Sequence, residues 1–107
     1  MEHLNRIELR DIIGSVYVED FVNTKVANFS VATDHCYTAQ DGCHVIDTTW
    51  FRVVAWESDT IKNLDQLQKG SAVHVIGRVR MQRYAASDGT ERSVFEVIAS
   101  DVQLMEN

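Results

Sequence analysis

Trp50-Phe51-Arg52-Val53-Val54-Ala55-Trp56 reads as a strand with two unlike faces. A period of two sets Trp50, Arg52, Val54 and Trp56 on one side and Phe51, Val53 and Ala55 on the other. The second set suits a core or a subunit contact. The first leaves three readings open: ligand contact, core packing or a subunit interface, since large aromatics often pack cores and alternating arginines often solvate a face. A core would have to bury Arg52 as well, which is costly without a partner. Two indoles with a guanidinium between them also suit the stacking of flat rings, the cation meeting a phosphate or stacking in turn.

Working outward, residues 45–57 are rich in Thr, Val and Trp and form the third strand of the chain. Residues 26–37 alternate Ala27, Phe29, Val31 and Thr33 with Asn28, Ser30, Ala32 and Asp34, a half-buried second strand. The first strand begins near Leu4 and continues into Ile12-Ile13; Gly14 marks a bend or bulge, after which Val16, Val18 and Val22 resume the pattern. Ser58 or Asp59 is placed to cap a short helix carrying Ile61, Leu64 and Leu67, with Lys69-Gly70 as its exit. Residues 72–81 and 93–104 supply two more strands, joined through Ala86-Ser87-Asp88-Gly89, where Asp-Gly signals a hairpin. The expected fold is all-β, with five strands and one short helix between strands three and four. That order fits a small, partly open Greek-key barrel in which the helix plugs one end.

A chain of 107 residues, 45% hydrophobic and 24% charged, describes one soluble globular domain spanning 1–107. No apolar run approaches the roughly 20 residues that cross a bilayer, and the first eleven residues lack a signal-peptide pattern, so no membrane association and a cytoplasmic location are expected. The net charge of -6 argues against indiscriminate nucleic-acid binding through overall charge. The charge is uneven, however: up to Asp59 ten acidic residues face four basic ones, whereas Arg78, Arg80, Arg83 and Arg92 cluster late. Arg78 and Arg80 share a strand face opposite Val75, Gly77 and Val79. Tyr37 and Tyr84 stand beside the two turns. If those loops lean over the Trp50 and Trp56 face, the tyrosines extend the platform into a groove.

Cys36 and Cys43 lie beside His35 and His44. If Ala39-Gln40-Asp41-Gly42 turns a hairpin, the two cysteines could face each other on one side and the two histidines on the other, which makes a four-ligand zinc site awkward. Reduced thiols are the first expectation, with a cross-strand disulfide and then a metal site as the lesser alternatives, and no cofactor is expected. Asp41, Asp47, Glu57 and Asp59 have no spacing that gathers carboxylates, no nucleophile with its base can be read, and no glycine-rich phosphate loop is present. The chain therefore reads as a binding protein and not an enzyme.

Three phrases, taken in order, resemble the bacterial single-stranded DNA-binding protein family: Lys25-Val26-Ala27-Asn28-Phe29-Ser30-Val31-Ala32-Thr33, Thr49-Trp50-Phe51-Arg52-Val53-Val54-Ala55-Trp56, and Lys69-Gly70-Ser71-Ala72-Val73-His74-Val75-Ile76-Gly77-Arg78-Val79-Arg80. The Tyr84 arm, Asp88-Gly89, Arg92 and Leu104-Met105 follow in the family's order, and the likeness runs from residue 5 to about 105. It implies an oligonucleotide-binding (OB) barrel that binds single-stranded DNA with little sequence preference during replication, recombination or repair, as a homo-oligomer, usually a tetramer. The family's stacking aromatics fall at Trp50, Trp56, Tyr37 and Tyr84. Its basic contacts fall at Lys25, Arg52, Arg78 and Arg80, with Arg10 and Arg83 as weaker matches. Three departures stand out. Asp11 replaces a usual glycine, and Phe51 replaces a histidine common at a subunit contact. The chain also ends at Met105-Glu106-Asn107 without the family's acidic, partner-recruiting tail, so tail-mediated replication or repair partners are not expected of the chain as given. A trimmed chain and a naturally short paralogue fit this ending equally. The alternative reading is an oligomeric protein-interaction module that keeps the barrel and binds DNA weakly or not at all.

Overall fold

In the computed structural model, which describes residues 3–105, alternation along the strands decides the architecture. Glu106 and Asn107 of the chain end lie outside the described residues. Strand β1 spans Ile7–Asp20, β2 Lys25–Thr38, β3 His44–Trp56, β4 Ala72–Ala85 and β5 Glu91–Leu104. They close a barrel in the order β1-β2-β3-β5-β4. Neighbours are antiparallel except β3 and β5, which run parallel where Val53 meets Val97 and Val54 meets Ile98. This is the five-stranded OB architecture that the sequence predicts.

Inward positions on every strand are apolar: Leu9 and Ile13, Phe29 and Val31, Val53 and Ala55, Val73 and Val75, and Val97 form the core. Each such side chain removed from water contributes about 1.5–3 kcal/mol if large. Strand β1 serves two neighbours, pairing with β4 up to Ile12 and with β2 from Ile12 to Asp20. Its register slips between Ile13 and Ser15, so the break in pattern at Gly14 is a bulge within one strand. The bulge adds the local twist that carries β1 round the barrel.

The helix expected between β3 and β4 is reduced to one 3-10 turn, Leu64–Gln66. Asn63 sits at φ 61 and ψ 39 ahead of it, and Ser58 Oγ accepts the N–H groups of Thr60 and Ile61 at 3.3 and 3.2 Å. These turns break the run that an α-helix would need. Ile61, Leu64 and Leu67 are nevertheless all buried against the core. Burial of these three anchors, not helix propensity, fixes the segment, because so short a helix is marginal by itself.

Beyond the barrel, β2–β3 and β4–β5 continue as two hairpin arms. The radius of gyration, 16.2 Å, exceeds the roughly 13 Å of a compact domain near 100 residues. Both arms end in one pattern, Tyr37-Thr38-Ala39-Gln40-Asp41-Gly42 and Tyr84-Ala85-Ala86-Ser87-Asp88-Gly89. The alanine N–H donates to the carbonyl four residues on, at 2.8 Å in each arm, and the glycine N–H donates back to the alanine carbonyl, at 2.9 and 3.0 Å. Gly42 and Gly89 adopt φ of 88 and 85, a conformation that favours glycine. Asp41 Oδ1 accepts the Cys43 N–H and Asp88 Oδ1 the Thr90 N–H, both at 3.0 Å. The Cys43 backbone N–H holds the Asp41 carboxyl below its usual range. At Asp88 the Thr90 hydroxyl does so first, followed by the Thr90 N–H.

With the turn centred on Asp41, Cys36 opposes Ile46, His35 opposes Asp47 and His44 opposes Thr38. The expected facing of cysteine with cysteine and histidine with histidine is thereby corrected: the turn sits too close to Cys43 for it to meet Cys36. Both thiols are exposed and free. Among the described residues no group of three His, Cys, Asp or Glu side chains is placed to hold a metal.

Candidate nucleic-acid interface

Strand β3 presents its two sets on opposite sides, with Val54 buried at 9% among the outward residues. Val53 and Ala55 are fully buried, while Trp50 and Trp56 remain 60% and 48% exposed. Arg52 is exposed between them and forms no ion pair among the described residues. Trp50, Arg52 and Trp56 are therefore not core.

The face continues across β2 and β1. Arg52 opposes Ser30, which opposes Ser15, and Val54 opposes Asn28, which opposes Tyr17. Trp50 lies over small residues: it opposes Ala32, and its ring reaches Gly14 of β1, where a Cβ would overlap the indole. Gly14 thus serves the site as well as the bulge. At the far end Phe21 stacks on Trp56, with centroids 6.0 Å apart and planes 24° from parallel. Tyr17, 63% exposed, and Phe21, 51% exposed, are aromatic members of the face that sequence reasoning missed. Tyr17 carried a signal, since it alternates with Val16 and Val18 on the outward side of β1.

The other predicted residues divide. Tyr84 joins the face, because it lines a concavity of about 320 Å³ with Arg52, Gln82 and Val94. Tyr37 opposes Val45 and shares the hairpin side of Val31 and Phe51, the reverse of the Trp50 side. It stacks there with His35 at 5.9 Å. Arg78 and Arg80 both face outward, in register with Ile98 and Glu96. Arg78 forms no ion pair among the described residues. Arg80 is engaged: its guanidinium holds the Glu96 carboxylate through Nη2 and through Nε at 3.2 Å. Glu96 is only 3% exposed, and with its nitrogen turned toward the carboxylate the Gln82 amide donates to both oxygens, at 2.9 and 3.2 Å.

Lys25 is engaged too. Its Nζ lies 2.5 Å from Asp65 and 3.6 Å from Asp20, and the Asp65 hydrogen bond holds the ammonium above its usual value. Arg83 lies 3.7 Å from Glu91 and shares the reverse side of its arm with Met81 and Phe95. Arg10 opposes His74 on the β1–β4 side, away from the tryptophans. Asp11, opposite Val73, accepts its neighbour Ile12's N–H at 2.9 Å. Of the six predicted basic contacts, only Arg52 and Arg78 are both outward-facing near the site and uncompensated.

Closed barrel, projecting arms and an open aromatic face together define an OB-fold protein. The chain belongs to the single-strand binding protein family, whose model matches residues 12–105. It is similar to the single-stranded DNA-binding protein of Neisseria meningitidis serogroup A, at 29% identity over 75% of this chain and 46% of that protein. It is also similar to single-stranded DNA-binding protein 3 of Clostridium acetobutylicum, at 32% over 78% of this chain and 56% of that one. The chain spans about half the length of these curated relatives. Among solved structures, the Plasmodium falciparum SSB complex with single-stranded DNA matches with a TM-score of 0.85 and 25% identity, covering 99% of this chain and 98% of that one. A deletion mutant of the single-stranded DNA binding protein from Thermus aquaticus matches with 0.74 and 18% identity over 96% and 51%, which supports the fold.

Proposed function

We propose that the chain binds single-stranded DNA with little sequence preference and protects it during replication, recombination or repair. The observation that carries this reading is the shared outward face of Trp50, Arg52 and Trp56, with Tyr84 closing a groove over Arg52. Bases stack on the three aromatic rings, each contributing about 1–3 kcal/mol, and every base offers a π-face, so stacking tolerates sequence. Arg52 and Arg78 meet phosphates. Lys25 and Arg80 do so only by exchanging a carboxylate for a phosphate. Binding therefore weakens with salt less steeply than the total of basic residues would give. Assembly into a homo-oligomer, a tetramer in the reading taken from the family, uses the reverse side, where exposed Met81 opposes exposed Phe95.

Quenching of tryptophan fluorescence by poly(dT) tests the platform. We expect strong quenching and at least tenfold weaker oligo(dT) binding by Trp56→Ala at fixed salt. Unchanged affinity in a folded variant overturns it. The carboxylates that occupy Lys25 and Arg80 favour a second reading, an oligomeric protein-interaction module with weak or no DNA binding. An unquenched but stably oligomeric protein selects that reading.

A further inference from the structure

A concavity on the face extends from the tryptophan strand over β1 and β2. It holds about 460 Å³ and draws polar and aromatic groups from three strands: Ser15 and Tyr17, Asn28 and Ser30, and Trp50 and Arg52. Openings of this size accommodate small ligands. One boundary is the Trp50 ring at Gly14. The other is Tyr17, three residues further along β1, or about 10 Å at the rise of a strand. Between them Ser15 and Ser30 hold each other at 2.9 Å. The Asn28 amide, directly opposite Tyr17, makes no side-chain hydrogen bond among the described residues.

We infer that this concavity is a base-reading subsite, in which one unstacked nucleobase lies against Tyr17 while its edge is hydrogen-bonded by Asn28. The inference rests on the single-strand reading above and adds to it. An open π-face beside an amide with donor and acceptor both free is the pairing by which unstacked bases are recognised. A stacking platform alone is indifferent to base identity, whereas an edge contact is not. Arg52, in the row next to Asn28, is placed for the phosphate that joins this base to one stacked on Trp50 or Trp56. The strand then crosses β3, β2 and β1 instead of following β3 alone.

Oligo(dT), oligo(dC) and oligo(dA) of one length, titrated by fluorescence anisotropy at fixed salt, test the subsite. Tyr17 is an exposed position, so its replacement leaves the barrel intact, which a thermal melt verifies. Tyr17→Ala should bind about five- to tenfold more weakly, and Tyr17→Phe within about twofold of the original, because the ring and not the hydroxyl carries the contact. Asn28→Ala should narrow the spread of affinities among the three oligonucleotides. In the unaltered protein, an oligonucleotide carrying 5-iododeoxyuridine should photocross-link to Tyr17. Full affinity of Tyr17→Ala together with a large loss in Trp56→Ala overturns the subsite and leaves the single-strand reading standing. Absence of binding by the unaltered protein overturns both.

Discussion

Counted back from Asp41 and from Asp88, the β2–β3 and β4–β5 arms each place a tyrosine four residues before the central aspartate and close on the same turn hydrogen bonds, yet Tyr84 opens onto the groove and Tyr37 onto the reverse side. The difference lies in where each arm leaves the barrel. Inward-facing Val31 is ten residues before Asp41, whereas inward-facing Val79 is nine before Asp88. A strand's side-chain period is two, so one residue of phase sends identical tips to opposite faces. A local motif thus fixes the shape of an arm, and the core fixes what the arm offers to a ligand.

The arms differ again eight residues from the turn, where one carries Thr33 opposite Thr49 and the other Arg80 opposite Glu96. The largest effect is expected here. Arg80→Ala leaves a buried carboxylate short of its cation and should cost about 1–3 kcal/mol in urea unfolding, discounted from a fully buried pair because Arg80 is half exposed. Arg83→Ala, whose pair with Glu91 is exposed on both sides, should stay within about 0.5 kcal/mol. Equal losses would mean that Glu96 is satisfied by other groups.

Next in size, Tyr84→Ala should weaken binding of an oligonucleotide short enough to occupy one face by about tenfold, or about 1.4 kcal/mol. Tyr37→Ala should change it by less than about twofold, with a larger effect emerging only on strands long enough to wrap the arm. Similar losses on the short strand would break the contrast between the arms. A smaller effect sharpens it: exchanging Tyr37 and Thr38 moves the ring to the Trp50 side and should tighten binding about threefold, within the range of one stacking contact. No gain from the exchange would detach ring position from affinity.

The smallest expected effect is one that the arms share. Asp41 and Asp88 have depressed pKa values in the fold, so their contribution is present above the ordinary aspartate value of about 3.9 and is lost as pH falls through the lower folded values. The Cys43 and Thr90 amide resonances should therefore shift below about pH 3.9, each with its own tip, while core amides stay in place. Shifts at neutral pH would contradict the turn chemistry.

Much of this was legible in the chain. Alternation in residues 50–56 puts the indoles on the side opposite Val53 and Ala55 but leaves their exposure open, and the lost pattern at Gly14 marks a bend or bulge. Ile61, Leu64 and Leu67 were recognisable as anchors, although not as members of a 3-10 turn, because burial acts on side chains and leaves the backbone a choice. Compensation of Lys25 by Asp65 and of Arg80 by Glu96 was not legible, since the partners are 40 and 16 residues away and meet only through the closed sheet. The side taken by Tyr37 depends on its phase relative to Val31, which becomes decisive only once the barrel's inward positions are known. Tyr17 could have been found by extending to β1 the alternation applied to β3.

The contact of Trp50 with Gly14 sets a rule of exchange between two positions 36 residues apart. The space above β1 at this point is finite, and the indole fills it. A lineage that gains a side chain at position 14 must shrink or turn the group at position 50, and one that loses the indole releases position 14 from glycine. The pair should therefore vary together across descendants of this sequence, as a record of volume shared between a bulge and an aromatic face.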